Sequence, residues 1–310
     1  MKIVLLEPLG VAKEIINSLA KKMEDNGHDF IMYDQKPKDV RELVERAKEA
    51  DIVILANHPF PEEAIKECKN LKFISVAFTG LDHIGLEYCR NNGIEVRNAA
   101  GYSTVSVAEL TFGLIISVLR NITKCDIATR EGRTKDGLIG FDLCGKTLGI
   151  VGTGAIGLKV AEIGRAFGCK LLGYSRNKRK VAESLRLKYV ELDELMSESD
   201  IVTLHVPLNE NTRNLISKER ISLMKPTGIL INTARGPVVD NKALAEALSQ
   251  GKIAGAGIDV FDIEPPLKPD DPIINAPNTV LTPHVAFATK EALERRADIA
   301  FNNVFSWLDI

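Results

Sequence analysis

Short apolar runs recur along the chain, and helix-length segments separate them. KIVLL (2–6), DFIMY (29–33), DIVIL (51–55), KFISVAF (72–78) and IEVRN (94–98) form a first series. TLGIVG (147–152), KLLGYS (170–175), IVTLHV (201–206), GILINTA (228–234), AGAGIDV (254–260) and NTVLTP (278–283) form a second. A run that is apolar on both of its sides needs cover on both faces, and strands joined through helices pair in parallel. The pattern predicts an α/β chain of two doubly wound parallel-sheet domains. At 310 residues the chain is long enough for two cores of about 150 residues each.

Asn98-Ala99-Ala100-Gly101 makes a short flexible step before a helical stretch read over about 102–131. A second helical pattern, 289–308, follows the last strand. If that terminal helix returns to the first series, the first domain is discontinuous. Residues 1–98 plus 288–310 would then flank an inner domain of 99–287.

The formal net charge of -2 provides no basic field for nucleic acid or an anionic membrane. Five cysteines (68, 89, 125, 144, 169), odd in number and without a CxxC pair, fit reduced thiols rather than a disulfide frame or a metal site. The opening MKIVLLEPLG is too briefly apolar for a signal peptide. The expectation is a soluble cytoplasmic protein without metal.

Within the second series, Gly152-Thr153-Gly154-Ala155-Ile156-Gly157 follows an apolar strand and opens a helix. The first glycine permits the tight turn, the second lets backbone approach a pyrophosphate, and the third lets helix and strand pack closely. Alone this motif is weak, but here a strand precedes it, a helix follows, and a second strand ends on time. About twenty residues on, an NAD site presents an acid to the ribose hydroxyls. This chain has Ser175 and Arg176 there, then Lys178, Arg179 and Lys180. Guanidinium binds phosphate through paired N–H groups, so the segment favours NADP(H), with NAD(H) possible. The alternative is that RNKRK is only the solvated start of the next helix.

Three further segments, NTARGPVVD (232–240), GIDVFDIEPP (257–266) and LTPHVAFAT (281–289), each place one polar candidate at or beyond a strand end: Arg235, Glu264 and His284. Ligands in open α/β sheets gather outside those ends. With GTGAIG, VAFTGLDHIG (76–85), Val107-Ala108-Glu109 and HVPL (205–208), these segments make the chain resemble the D-isomer-specific 2-hydroxyacid dehydrogenases over essentially its whole length.

The resemblance implies a Rossmann dinucleotide-binding domain and a flavodoxin-like substrate domain, in an enzyme that is mostly dimeric. It implies that Arg235 clamps the carboxylate of a 2-oxo acid and polarises its carbonyl, and that His284 donates the proton. Glu264 would pair with His284 and favour its charged form. Thr79 and Gly80 would offer amides to the substrate, and Tyr102 either faces the substrate or packs. Ala155, Ile156, His205, Val206, Pro207, Thr233, Ala234 and His284 would line the cofactor, and Asp259 would meet the nicotinamide carboxamide. The loop Asn57-His58-Pro59-Phe60 has no Arg or Lys for a phosphate, so glyoxylate, hydroxypyruvate or pyruvate is the expected kind of substrate. Two other readings stay open: a non-enzymatic cofactor sensor of the same fold, and a phosphoglycerate dehydrogenase.

Overall fold

The computed structural model describes residues 1–263 and 266–310. The chain divides into two compact units: Met1–Ser103 with Ala288–Ile310, and Thr104–Phe287.

In the first unit the apolar runs become β1 (Lys2–Leu5), β2 (Asp29–Met32), β3 (Ile52–Leu55), β4 (Phe73–Val76) and β5 (Glu95–Asn98). Helices α1 (Lys13–Asp25), α2 (Val40–Ala47), α3 (Glu62–Lys66) and α4 (Leu86–Asn91) connect them. Every pairing is parallel and the order is β2-β1-β3-β4-β5, the flavodoxin-like arrangement. Central β3 and β4 are buried at every residue and, apart from Ser75 in β4, read as apolar runs. Edge strands β2 and β5 are partly exposed and carry Asp29, Glu95 and Arg97.

The second unit carries β6 (Thr147–Val151), β7 (Lys170–Tyr174), β8 (Lys188–Tyr189), β9 (Ile201–Leu204), β10 (Ile229–Asn232), β11 (Gly255–Ile258) and β12 (Thr279–Leu281). Its helices are α5 (Thr104–Leu119), α6 (Ile122–Arg130), α7 (Ala155–Ala166), α8 (Val181–Ser184), α9 (Leu192–Glu198), α10 (Lys218–Leu223) and α11 (Asn241–Ser249). The parallel order β12-β11-β10-β9-β6-β7-β8, counted from β6, is the Rossmann order with a seventh strand beyond its far edge. The winding reverses between β6 and β9, where such sheets open a crevice.

The stretch 102–131 is not one helix. It breaks between α5 and α6, which are bent 59° apart, with Asn121 between them at φ 53°. Asparagine is one of the few residues that tolerate this left-handed conformation, and a continuous α-helix does not pass through it. α5 is a core helix: Ala108, Phe112, Leu114, Ile115 and Leu119 pack with Leu148 and Ile150 of β6 and Val160 and Ala161 of α7. Among the described residues no single helix is long and apolar enough to cross a membrane.

The last helix, α12 (Lys290–Leu308), is capped by the Thr289 hydroxyl, which accepts the Ala292 N–H at 3.1 Å. It belongs to the first unit. Ala297, Phe301, Val304 and Phe305 share a core with Ile3 and Leu5 of β1, Ile54 of β3, Phe73 of β4 and Ile16 and Met23 of α1. The Ser75 hydroxyl donates to the Ala300 carbonyl at 2.8 Å, and buried Arg296 donates to Leu9 O through Nε and Nη2.

Candidate cofactor and active site

β6 ends at Val151 and the chain turns through Gly152-Thr153-Gly154 into α7. Gly152 has φ 98°, and a Cβ there would lie 2.5 Å from the His205 carbonyl oxygen; one on Gly157 would run into the Gly152 carbonyl. The fold itself demands these two glycines. Gly154, which caps α7, differs: a Cβ on it would meet no atom within 4 Å. Its backbone faces open space at a helix N-terminus, where N–H groups and dipole receive phosphate. The residues therefore fit a dinucleotide.

A pocket of about 530 Å³ opens above this turn, outside the ends of β6, β7 and β9. Gly152, Thr153 and Gly154 line it with residues 174–177, Arg179, His205-Val206-Pro207, and Asn211, Thr212 and Leu215. Ala155 and Ile156 open α7 directly beneath. Ser175 is half-buried, and Arg176 is exposed. Among the described residues neither Arg176 nor Arg179 has a carboxylate partner, so both guanidinium groups can meet an anion. His205 is only half-buried as a residue, yet its ring is desolvated and burial pushes its pKa down to about 3. A neutral imidazole then faces Thr203 Oγ1, 2.9 Å from Nε2.

The second group of residues leaves β10, β11 and β12, which are neighbours in the sheet. Asn232 pairs with Ile258 and Ile258 with Leu281, so the segments bearing Arg235, Asp259 and His284 emerge from one edge. The buried Asn232 amide braces the first turn. Its Oδ1 accepts the Ala234 N–H at 3.0 Å and its Nδ2 donates to Arg235 O at 2.9 Å. Thr233 is buried, its hydroxyl 3.1 Å from Thr111 Oγ1 of α5. Arg235 is half-buried, and its Nη1 donates to Ala234 O at 2.8 Å. A Cβ on Gly236 would collide with the Phe261 backbone, so the Arg235 loop lies directly on the segment after β11. Asn241 Nδ2 joins the two by donating to Gly236 O and Asp262 Oδ1.

Asp259 is fully buried. Its Oδ1 accepts from the Thr282 hydroxyl (2.6 Å) and the Val285 N–H (2.9 Å), and its Oδ2 from the Ala286 N–H (2.9 Å). Burial raises the carboxyl pKa and these donors oppose the rise. His284 has φ 54°, a conformation that costs on the order of 1–3 kcal/mol outside glycine. Its ring meets Phe287 edge-on, centroids 5.5 Å apart. Glu264 lies outside the described residues.

In the first unit, Thr79 and Gly80 follow β4, and Thr79 O accepts from Asn98 Nδ2 at 2.7 Å. Tyr102 is 1% exposed, its ring 6.2 Å from that of Phe78, and its carbonyl accepts from Arg295 Nε. A cation absent from the Asn57 loop itself comes from outside it. Lys36 Nζ lies 3.4 Å from Asn57 Oδ1 and 3.8 Å from the buried Glu7 carboxylate. Glu7 Oε1 in turn accepts the Ala56 and His58 amides. Asn232 and Glu7 are supports that sequence motifs do not flag, although Asn232 directly precedes Thr233 in NTARG.

Residues 112–286 match the family model of the D-isomer specific 2-hydroxyacid dehydrogenase, NAD binding domain. The chain is similar to a glyoxylate reductase of Korarchaeum cryptofilum, 38% identical over 96% of this chain and 91% of that protein. It is also similar to a hydroxypyruvate reductase of Blautia hydrogenotrophica, 36% identical over 90% of this chain and 89% of the other. Among solved structures, an acyclic imino acid reductase in complex with NADPH and D-Arg superposes with a TM-score of 0.91. It is 34% identical, over 100% of this chain and 97% of that one. With its two parallel sheets, its glycine turn and this similarity along nearly its whole length, the chain belongs to the D-isomer specific 2-hydroxyacid dehydrogenases.

Proposed function

We propose that this oxidoreductase reduces a small, unphosphorylated 2-oxo acid of the glyoxylate, hydroxypyruvate or pyruvate type to the D-2-hydroxy acid. The observation that carries the reading is the emergence of Arg235, Asp259 and His284 from three neighbouring strands, at the same sheet edge as the glycine turn. The names of the two reductases support the substrate class. Lys36 does not argue for a phosphorylated substrate, because the Glu7 carboxylate offsets its charge.

In this reading the unit Thr104–Phe287 holds the dinucleotide and the unit Met1–Ser103 with Ala288–Ile310 serves the substrate, the first boundary falling five residues later than the 98/99 step read from the sequence. Bound NAD(P)H supplies the hydride. Arg235 binds the substrate carboxylate and draws charge toward the carbonyl oxygen, and His284 delivers the proton to that oxygen as it becomes an alkoxide. Glu264 pairs with His284. Thr79 and Gly80 take the carboxylate through their amides. Asp259, expected to meet the nicotinamide carboxamide, is better supported as the brace of the His284 turn, because its fully buried carboxylate is taken by Thr282, Val285 and Ala286. Tyr102 is better supported as a packing residue, given its burial beside Phe78. NADP(H) is the favoured cofactor, because Ser175 and Arg176 stand where an acid would repel a 2′-phosphate, and the imino acid reductase holds NADPH.

We further propose a cytoplasmic homodimer. The cysteines are free thiols, and burial pushes Cys68, Cys89 and Cys169 up to about 11. Ile122 and Ile127 of α6, with Ile139 (86% exposed) and Phe141 (61%) after it, are exposed apolar side chains that a second copy would cover. Ile139→Glu with Phe141→Glu should give monomers in sedimentation.

A panel of 2-oxo acids assayed with NADPH and NADH tests the enzymatic reading. Turnover of at least one small 2-oxo acid is expected. No turnover with any, in protein that binds cofactor, would leave the cofactor-sensor reading instead.

A further inference from the structure

Tyr189, on the two-residue strand β8, connects two parts of the cofactor pocket that are distant in sequence. Its hydroxyl oxygen accepts the Arg179 backbone N–H at 3.0 Å and lies 2.8 Å from Thr153 Oγ1. In the contact with Thr153 either hydroxyl can be the donor. Thr153 is the second residue of the glycine turn, and its side chain is buried. Arg179 lies in the exposed segment 176–180, between the end of β7 and the start of α8.

That segment carries Arg176, Lys178, Arg179 and Lys180, whose like charges repel one another. Left untethered it would sample many arrangements, and a ligand would have to order it at the cost of affinity. β8 itself is well anchored. Gly173 pairs with Tyr189 and accepts the Val190 N–H at 3.0 Å, and the tyrosine ring packs on the core around Leu171 and Leu187. The Lys178 ammonium lies 5.9 Å from the ring centroid, a second restraint on the same segment.

We propose that Tyr189 is a positioning residue for cofactor selection. Its hydroxyl pins the 176–180 segment to the glycine turn, so that Arg176 and Arg179 meet the 2′-phosphate while the pyrophosphate seats at Gly154. This rests on the NADP(H) reading above.

The test titrates 2′,5′-ADP and 5′-AMP, adenosine ends with and without the 2′-phosphate, into the unmodified protein, Tyr189→Phe and Thr153→Val. The unmodified protein should bind 2′,5′-ADP at least about tenfold more tightly. Tyr189→Phe keeps the ring, so it should lose about three- to tenfold in 2′,5′-ADP affinity while 5′-AMP stays within about twofold. Thr153→Val, within the turn itself, should cost 2′,5′-ADP more than 5′-AMP, and the double variant should be no worse for 2′,5′-ADP than the weaker-binding single variant, since both break one tether. A Tyr189→Phe protein that discriminates as well as the unmodified one would overturn the role of Tyr189 and leave the NADP(H) reading standing. Equal losses for both ligands would mean general support only, and would also overturn it. Unmodified protein that does not distinguish the ligands would overturn both readings. If Tyr189→Phe does not fold, Thr153→Val decides the matter by the same criteria.

Discussion

The backbone N–H of His284 donates to the carbonyl oxygen of Asp259 at 2.8 Å, while the Asp259 carboxylate takes the amides of the next two residues, Val285 and Ala286. One buried aspartate thereby sets the turn that keeps His284 in its left-handed conformation. The proton donor of the proposed reaction is held from β11, not only by its own strand.

An asparagine at 259 matches the shape but has only one acceptor oxygen for the three donors that Asp259 receives. Its amide must then point N–H groups at another N–H or hydroxyl. Asp259→Asn should lower the unfolding free energy by about 1–3 kcal/mol and reduce kcat more than it raises KM. Denaturant titration and steady-state rates measure both. A variant with unchanged stability and kcat would contradict the positioning role.

Cofactor choice is testable by exchange of the residues after β7. NADPH should exceed NADH in kcat/KM by at least about tenfold, roughly 1.4 kcal/mol, and Ser175→Asp with Arg176→Ala should reverse the order. Equal use of the two cofactors by the unmodified enzyme would refute the assignment.

His284→Gln should cost about 10²–10⁴ in kcat, the usual contribution of a general acid, with NADPH affinity nearly intact. Arg235→Gln should raise KM and lower kcat together, because the guanidinium is assigned to the substrate before and during reduction. Loss of cofactor binding in either variant, followed by fluorescence, would place these side chains elsewhere.

His205 makes a prediction about pH. A free histidine titrates near ~6.5, whereas burial takes this ring down to about 3. Above pH ~6.5 both folded and unfolded chains hold it neutral and stability is unaffected. As pH falls from there toward about 3, the unfolded chain gains a proton that the folded one refuses. Stability then drops by at most about 1.4 kcal/mol per pH unit from this group. Burial also lowers His58, so the comparison must be with His205→Asn, whose stability should fall less steeply between pH ~6.5 and ~5. Parallel curves would show that the ring is not held neutral by burial.

Parallel strands are legible because both faces need cover, which makes β3 an unbroken apolar run and leaves β4 and β9 with a single hydroxyl residue each, Ser75 and Thr203. The glycines of the turn are legible because they fall within six residues of chain, although the close approach of His205 to Gly152 is not. The break at Asn121 is not: neither proline nor glycine marks it, and α5 and α6 together read as one periodic helix. β8 is too short to show any period. Tyr189 and Thr153 meet across 36 residues, and Asp259 meets Ala286 across 27. Such pairings follow from sheet order, which no local pattern encodes. The motifs single out Arg235, Asp259 and His284, but not what holds them.

The placement of α12 also bears on how the protein is made. The first sheet needs a helix translated after the whole of the second unit, with Ser75 bonded to a carbonyl 225 residues further on. During synthesis the contiguous unit Thr104–Phe287 is made in full before α12, while the earlier-made sheet still lacks the helix that completes the core around Ile3, Leu5, Ile54 and Phe73. At about 5–20 residues per second that nascent surface waits on the order of tens of seconds, long enough for chaperones to engage it. The unit begun first is thus the one whose chain is completed second. A message cut short before Lys290 would yield a sound inner unit fused to an aggregation-prone beginning, a product for proteases rather than a smaller enzyme.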